Sequence, residues 1–315
     1  MEADPQMCWW GSPSSHMEFS LPFHIYMRGR QREIVLNVRS FKSGGYRLCK
    51  AINPAVASEP LVTVITAVFN GNDCLANCIE SVLSQDYPQV EHIILDGGSN
   101  DGTVETIRRY EDRLALWISE PDSGVYDAWN KGLQLARGEW IAFLGADDIY
   151  LAGAISTYMK LARENPEAEF LSSQARLDHP TGYAPVFGGP WEWPRFATAM
   201  STIHVGTMHR RSLFERYGEF DTSYRIAADY EFLLRPREQL LTAFSPATTV
   251  VMRAGGLSDS TAGLYEARRA KISSGVRSTP MAALQLRQAI VRFHLRRMYL
   301  KARALFVCKR SKFPS

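Results

Sequence analysis

Residues 138–151, GEWIAFLGADDIYL, decide the fold. Trp140, Ile141, Ala142, Phe143 and Leu144 form a short apolar run of the kind that builds a buried parallel strand, and it stops at Gly145-Ala146 directly before two adjacent acids. The chain thereby delivers Asp147 and Asp148 to the carboxyl end of a central strand, the edge where open α/β sheets bind ligands. Two carboxylates held together there repel each other and lose water unless a cation or a set of hydrogen-bond donors compensates them. A hard divalent ion, Mg²⁺ or Mn²⁺, shared with substrate phosphates would do so. The competing reading is local: Asp148 caps a helix beginning near Leu151 and Asp147 is solvated.

Outward from this stretch the pattern alternates. Upstream it predicts a strand over 61–68, closed by Phe69-Asn70-Gly71, and a helix over 74–85 with apolar positions at intervals of three and four. A strand over 90–95, a helix over 104–111, a strand over 114–119 and a helix over 125–136 complete the series. Strands and helices alternating at this spacing imply a parallel sheet with right-handed crossovers, the nucleotide-binding type of half-domain. The turn DGGSNDGT at 96–103 contains three glycines, which let the backbone approach a flat or anionic ligand, and Asp96 at a strand end can accept bonds from a ribose or a base. A plain turn, with Asp101 or Thr103 capping the next helix, is the alternative.

Downstream the pattern predicts a helix over 152–163, a strand over 168–173 and a helix over 211–217. Residues 179–200 are rich in Gly, Pro and Trp, and Trp191 and Trp193 there suit either a sugar face or ordinary packing. His204 and His209 are candidates for a metal or phosphate contact, with burial as the commoner fate of a lone histidine. Within the stretch 220–235, Phe232, Leu233 and Leu234 supply apolar bulk for a helix, and Asp229 and Glu231 fall near its start. An acid there stays ionised and suits a base that takes a proton from a sugar hydroxyl; helix capping by Asp229 is the other reading.

The whole chain has 315 residues, 45% hydrophobic and 22% charged, with a net charge of +3. From Ala267 to Ser315 there are 13 Lys or Arg and no Asp or Glu, so the first 266 residues carry −10. That asymmetry points to an anionic partner for the tail. Leu284, Val291, Leu295, Met298, Ala302 and Leu305 form one apolar helical stripe, with Arg292, Arg296 and Arg303 beside it and Arg297 and Lys301 on the far flank. Such a helix suits an anionic membrane surface over 281–310; packing of the stripe on the body of the protein, or against another subunit, is the alternative. Stacking aromatics are sparse there, which disfavours nucleic acid.

Five cysteines at 8, 49, 74, 78 and 308 contain no Cys-x-x-Cys pair and read as buried thiols in a reducing compartment. No apolar run reaches membrane-spanning length and no signal-peptide pattern opens the chain, so it is expected in the cytoplasm. Residues 1–58 form an N-terminal extension without a motif, with an irregular arm over 1–20 and strands expected over 33–38 and 46–52.

Taken in order, Phe69-Asn70, the SVLSQ run at 81–85, DGGSNDGT at 96–103, Asn130-Lys131-Gly132, Ala136-Arg137-Gly138, Ala146-Asp147-Asp148 and Ala228-Asp229-Tyr230-Glu231 resemble the family 2 glycosyltransferases. The bacterial members that build surface polysaccharides are the most similar, and the likeness spans 60–251. It implies a GT-A fold: a Rossmann-like, mostly parallel α/β sheet flanked by helices over 59–255. The nucleotide-binding half would be 59–150, the acceptor half 151–255, and 256–315 a basic amphipathic helical tail. Ala146-Asp147-Asp148 stands at the family's Asp-x-Asp position, implying that Asp147 and Asp148 hold Mg²⁺ or Mn²⁺. Phe69, Asn70, Asp96, Gly97, Ser99, Lys131 and Asp147 would then bind the nucleotide-sugar, and Asp229 matches the catalytic base. The chain departs from the family at Gly145, where many members have an acid, at Gly97, where many have a second Asp, and at Ala228, where Glu is usual.

The implied activity is inverting transfer of a hexosyl group from a nucleotide-diphosphate sugar to a hydroxyl of a glycan or polyprenyl-linked acceptor. It would take place in the cytoplasm or peripherally on the inner face of the cell membrane. A nucleotidyltransferase is disfavoured because FNGND at 69–73 lacks the basic Gly-rich loop such enzymes need. A non-catalytic nucleotide-sugar-binding regulator is disfavoured by the intact acids.

Overall fold

The computed structural model describes residues 42–49, 59–179, 182–256 and 260–310. The arm expected over 1–20 and the strand over 33–38 lie outside the described residues.

The chain builds β1 (Lys42–Gly44), α1 (Tyr46–Cys49), β2 (Val62–Val68), α2 (Leu75–Leu83), β3 (Val90–Asp96), α3 (Thr103–Arg108), β4 (Leu116–Ser119), α4 (Val125–Leu135) and β5 (Trp140–Gly145). After the acidic pair come β6 (Ile149–Tyr150), α5 (Ala154–Glu164), β7 (Phe170–Asp178), β8 (Val186–Phe187) and α6 (Trp193–Phe196). Next follow β9 (Thr207–Arg210), α7 (Arg211–Tyr217), α8 (Ala228–Leu234), β10 (Thr242–Arg253), α9 (Thr261–Ser273) and α10 (Thr279–Arg310). One sheet runs in the order β1-β4-β3-β2-β5-β9-β7-β10-β6, with β8 paired to β7. Its long pairings, β2 with β3 and β5, β3 with β4, and β7 with β10, are parallel.

The register explains why the acids and the turns meet. Val68 pairs with Asp96 and Ala67 with Gly145, so β2, β3 and β5 end level and release Phe69-Asn70, the glycine-rich turn and Asp147-Asp148 on one edge. Helix α4 lies close on β2 at Gly132, where a Cβ would sit 2.5 Å from Ile65 Cγ2. Its Asn130 reaches into the second half, donating from Nδ2 to the Phe220 carbonyl at 2.9 Å and accepting from the Phe220 amide at 3.0 Å. Phe143 on β5 meets Trp129, Phe214 and Phe220 in an aromatic cluster that fuses the halves, and Phe214 stacks on Phe232 at 4.6 Å. Aromatic contacts of this kind add to the area they bury.

One expectation is corrected. Over 46–49 the expected strand is instead the helical turn α1, its remainder over 50–52 lying outside the described residues, and β1 adds antiparallel to the sheet edge at β4, so the sheet begins upstream of residue 59. What holds this segment is an ion pair: Arg47 Nη1 lies 3.2 Å from Glu91 Oε2, with side chains only 3% and 4% exposed. Glu91 also accepts from Thr63 Oγ1 at 2.5 Å and from the Arg137 amide at 2.6 Å. In α10, Leu284, Val291, Leu295 and Met298 are 51% to 66% exposed, whereas Ala282 and Leu300 are buried.

Removing one partner of a buried pair leaves the other charged and unsolvated. Arg47→Ala should therefore destabilise the protein by about 3–5 kcal/mol, whereas the double variant Arg47→Met, Glu91→Leu should lose far less. Urea unfolding of the two variants checks this.

Candidate active site

A cleft of about 1140 Å³ opens at the carboxyl edge of the sheet, and Phe69, Asn70, Tyr126, Asp147, Asp148 and Asp229 line it together. Three acids separated by up to 82 positions in sequence thus share one cavity.

Asp148 is 5% exposed, and its Oδ1 accepts from the Arg253 amide at 3.2 Å. Burial, reinforced by the neighbouring Asp147 charge, pushes its carboxyl up to about 7. Asp148 does not cap α5, whose N-cap is Gly153. The glycine at 145 has a steric cause: a Cβ there would lie 2.5 Å from Asp148 Oδ2 and 3.2 Å from Asp147 Oδ1. A side chain at 145 would force the two carboxylates to move.

The residues expected to hold the nucleotide divide into two groups. Phe69, 66% exposed, and Asn70, in the left-handed region with φ of 50°, border the large cleft beside Asp147. Asp96 is buried, and its own surroundings saturate it. Ser99 Oγ donates to Oδ1 at 2.5 Å, and the Gly98 amide, the Ser99 amide and Ser119 Oγ donate to Oδ2 at 3.2, 3.1 and 2.6 Å. Ser99 Oγ also accepts from the Asn70 amide at 2.7 Å, and Asn70 Oδ1 accepts from the Asn100 amide at 3.1 Å. Asp96 and Ser99 therefore shape the turns that present Phe69 and Asn70. Gly97 leaves room for Asp122, whose Oδ2 would be 2.8 Å from a Cβ. Lys131 pairs with Glu120 at 2.9 Å and Asp127 at 3.3 Å and borders a separate small pocket with Asp96 and Asp122.

Asp229 is the second residue of α8, where Ala227 is the N-cap, so the capping reading fails. Its Oδ1 lies 2.8 Å from the Tyr230 amide and 3.0 Å from the Tyr126 hydroxyl, which is also 2.7 Å from the Ile226 carbonyl. Glu231, the neighbouring acid, is spent on an ion pair with Arg235 at 2.6 Å. Sequence reasoning missed Tyr126 and Arg253; neither falls in a motif the chain displays.

Of the remaining candidates, Trp191 and His209 pack against aromatic neighbours, and His204 packs while also lining the cleft. Trp191 is half-buried and lies 4.1 Å from Phe196 and 5.8 Å from Phe170, centroid to centroid. His204 and His209 are buried 5.4 Å apart among Phe143, Trp129 and Phe214, and burial lowers both below the ordinary histidine range. Among the described residues no group of three or more His, Cys, Asp or Glu could form a metal cage, so any ion at Asp147 and Asp148 would need further oxygens from substrate or water. Cys74 and Cys78 are free thiols, both raised by burial.

Comparison with known proteins bears on this geometry. The family model described as Glycosyl transferase family 2 matches residues 63–218. An uncharacterized glycosyltransferase of Mycobacterium tuberculosis is 35% identical over 188 residues, 57% of this chain and 70% of that protein. The chain belongs to glycosyl transferase family 2. Its fold matches the crystal structure of S. aureus TarS 1-349 in complex with UDP-GlcNAc, with a TM-score of 0.56 at 17% identity over 72% of this chain and 70% of that one. It also matches a mannosyltransferase of Pyrobaculum calidifontis solved with GDP-Man and Mn²⁺, with a TM-score of 0.53 at 19% identity over 86% and 81%. This family 2 glycosyltransferase thus shares its α/β sheet with proteins seen holding nucleotide-sugars. Among its described residues no helix is long and apolar enough to cross a membrane.

A raised carboxyl makes folding pH-dependent. The unfolded chain releases the Asp148 proton in the ordinary carboxylate range, whereas the folded state keeps it up to about 7, so metal-free stability falls as pH rises between those limits. In EDTA, Asp148→Asn should raise the melting temperature at pH 8 and leave it nearly unchanged at pH 4. Thermal unfolding across that range checks the sign.

Proposed function

We propose that this glycosyltransferase moves a hexosyl group, with inversion, from a nucleotide-diphosphate sugar to a hydroxyl of a glycan or polyprenyl-linked acceptor in bacterial surface polysaccharide biosynthesis. The observation that carries the reading is the single cleft lined by Asp147, Asp148 and Asp229.

The acidic pair fits a hard divalent cation: a buried carboxylate beside a second carboxylate, its proton held up by burial despite backbone donors at Arg253 and Gly145, is under-compensated for negative charge. Bound by Asp147 and Asp148, Mg²⁺ or Mn²⁺ would supply Lewis-acid stabilisation to the departing diphosphate. The rest falls to the chain. Phe69 offers an exposed ring face to the nucleoside and Asn70 its polar edge, in turns braced by Asp96 and Ser99, while Gly97 and Lys131 shape the adjoining wall. Tyr126 and the Tyr230 amide hold Asp229 Oδ1, which leaves Oδ2 to accept the proton of the incoming hydroxyl. The sugar passes through an oxocarbenium-like state, and attack from the face opposite the leaving group inverts the anomeric carbon.

Asp229→Asn keeps the shape of the side chain and removes its basicity. Turnover should fall by about 10²-fold or more with the donor KM nearly unchanged. Product NMR should show inverted configuration; retention would remove Asp229 from this role.

The proposal extends to location. Helix α10 exposes Leu284, Val291, Leu295 and Met298 beside a run of arginines in a tail without acids, and Arg296 of that helix borders the cleft. An anionic inner leaflet complements both the charge and the apolar row, and would bring a lipid-linked acceptor to the cleft mouth. The full chain should float with phosphatidylglycerol vesicles, and Leu295→Glu, Met298→Glu should abolish flotation while leaving donor binding intact.

A further inference from the structure

Helix α9 lies beyond the residues matched by the family model and contributes none of the described lining of the cleft, yet it grips the segment that leads into Asp229. Glu266, Arg269 and Ser273 recur at intervals of three and four and so share one face of α9. Arg269 lies 3.6 Å over the Tyr224 ring, and Ser273 Oγ is 2.9 Å from the Tyr224 hydroxyl. Glu266 accepts from three successive backbone amides: Arg225 at 3.0 and 3.1 Å, Ile226 at 2.8 Å and Ala227 at 3.0 Å. Those residues end where α8 begins, two positions before Asp229. The same segment is tied from the other side, where the Ile226 carbonyl and Asp229 Oδ1 both face the Tyr126 hydroxyl.

Backbone amides at a cleft rim do not need a carboxylate for satisfaction. Arg225 is exposed and both Arg225 and Ile226 line the cleft, so water can replace Glu266 as acceptor at two of the three amides, that of buried Ala227 excepted, at modest expense in stability. What water cannot do is hold three consecutive amides in one geometry. We propose that Glu266 is a positioning residue for the reaction: its carboxylate fixes the backbone of residues 225–227 and thereby the placement of Asp229 against the acceptor hydroxyl. This rests on the reading of Asp229 as the base.

The test compares Glu266→Ala, Glu266→Gln and Asp229→Asn in the full chain with Mn²⁺ and either UDP-GlcNAc or GDP-mannose, the donors held by the structural relatives. Turnover is normalised to donor-binding sites, which removes the effect of any unfolded fraction. Glu266→Ala should lower turnover by about 10- to 100-fold with the donor KM within about twofold, because a displaced catalytic group loses rate rather than donor affinity. Glu266→Gln, whose amide oxygen still accepts, should recover part of the loss. Hydrogen exchange at the amides of 225–227 should quicken in Glu266→Ala while β2 and β5 stay protected. Wild-type turnover per site in Glu266→Ala, a donor KM that rises in step with the loss, or unchanged exchange at 225–227 would each overturn the proposal. An active Asp229→Asn would instead overturn the base assignment, a distinct outcome.

Discussion

A buried carboxylate set against a second carboxylate is the interaction on which this site depends. Asp148 is drawn out of water by the strand end that carries it, and the backbone amide of Arg253 offsets only part of its charge. Such an arrangement costs folding free energy, and a scaffold tolerates it only where the rest of the structure over-determines it. Here the over-determination comes from β5, locked between β2 and β9, and from Gly145, whose missing side chain is the space the carboxylates occupy.

The second requirement is that two halves of the chain close on one cavity. Level strand ends in the first half supply the turns and the acidic pair, while α8 in the second half supplies Asp229. The joint between them is specific. Asn130 clamps both backbone groups of Phe220, and Tyr126, one helical turn earlier, reaches Asp229 and Ile226. One helix therefore packs on β2 and orients the opposite wall. The Asn130-Lys131-Gly132 run acquires a physical reason: Gly132 allows the close approach to β2, and Asn130 makes the bridge.

Much of this was legible in the residues. The β-branched run of β2, the three-four spacing of α2 and the span of α7 follow from local periodicity, and each element formed close to where that pattern put it. Elements without a clean period were not legible. Strand β10 contains Pro246 and shifts register twice against β7, between Ser245 and Thr248 and between Thr248 and Val250, so its alternation of apolar residues is broken. The segment 42–49 carries no amphipathic signal at all; the buried Arg47–Glu91 pair that anchors it joins residues 44 positions apart.

By itself the sequence determined the alternation of strands and helices from β2 to β5, the delivery of Asp147 and Asp148 to the end of that series, and the presence of an acid early in α8, because all of these are consequences of short-range pattern. Tertiary structure alone decided which acids share a cavity, that Asp96 spends its oxygens on its own turn, that Glu231 is consumed by Arg235, and that Glu266 reaches back to the segment before Asp229. The reason is physical: a carboxylate looks the same in a sequence whether it faces a ligand, a guanidinium or a row of backbone amides. Only the partners that folding brings within about 3 Å assign its work.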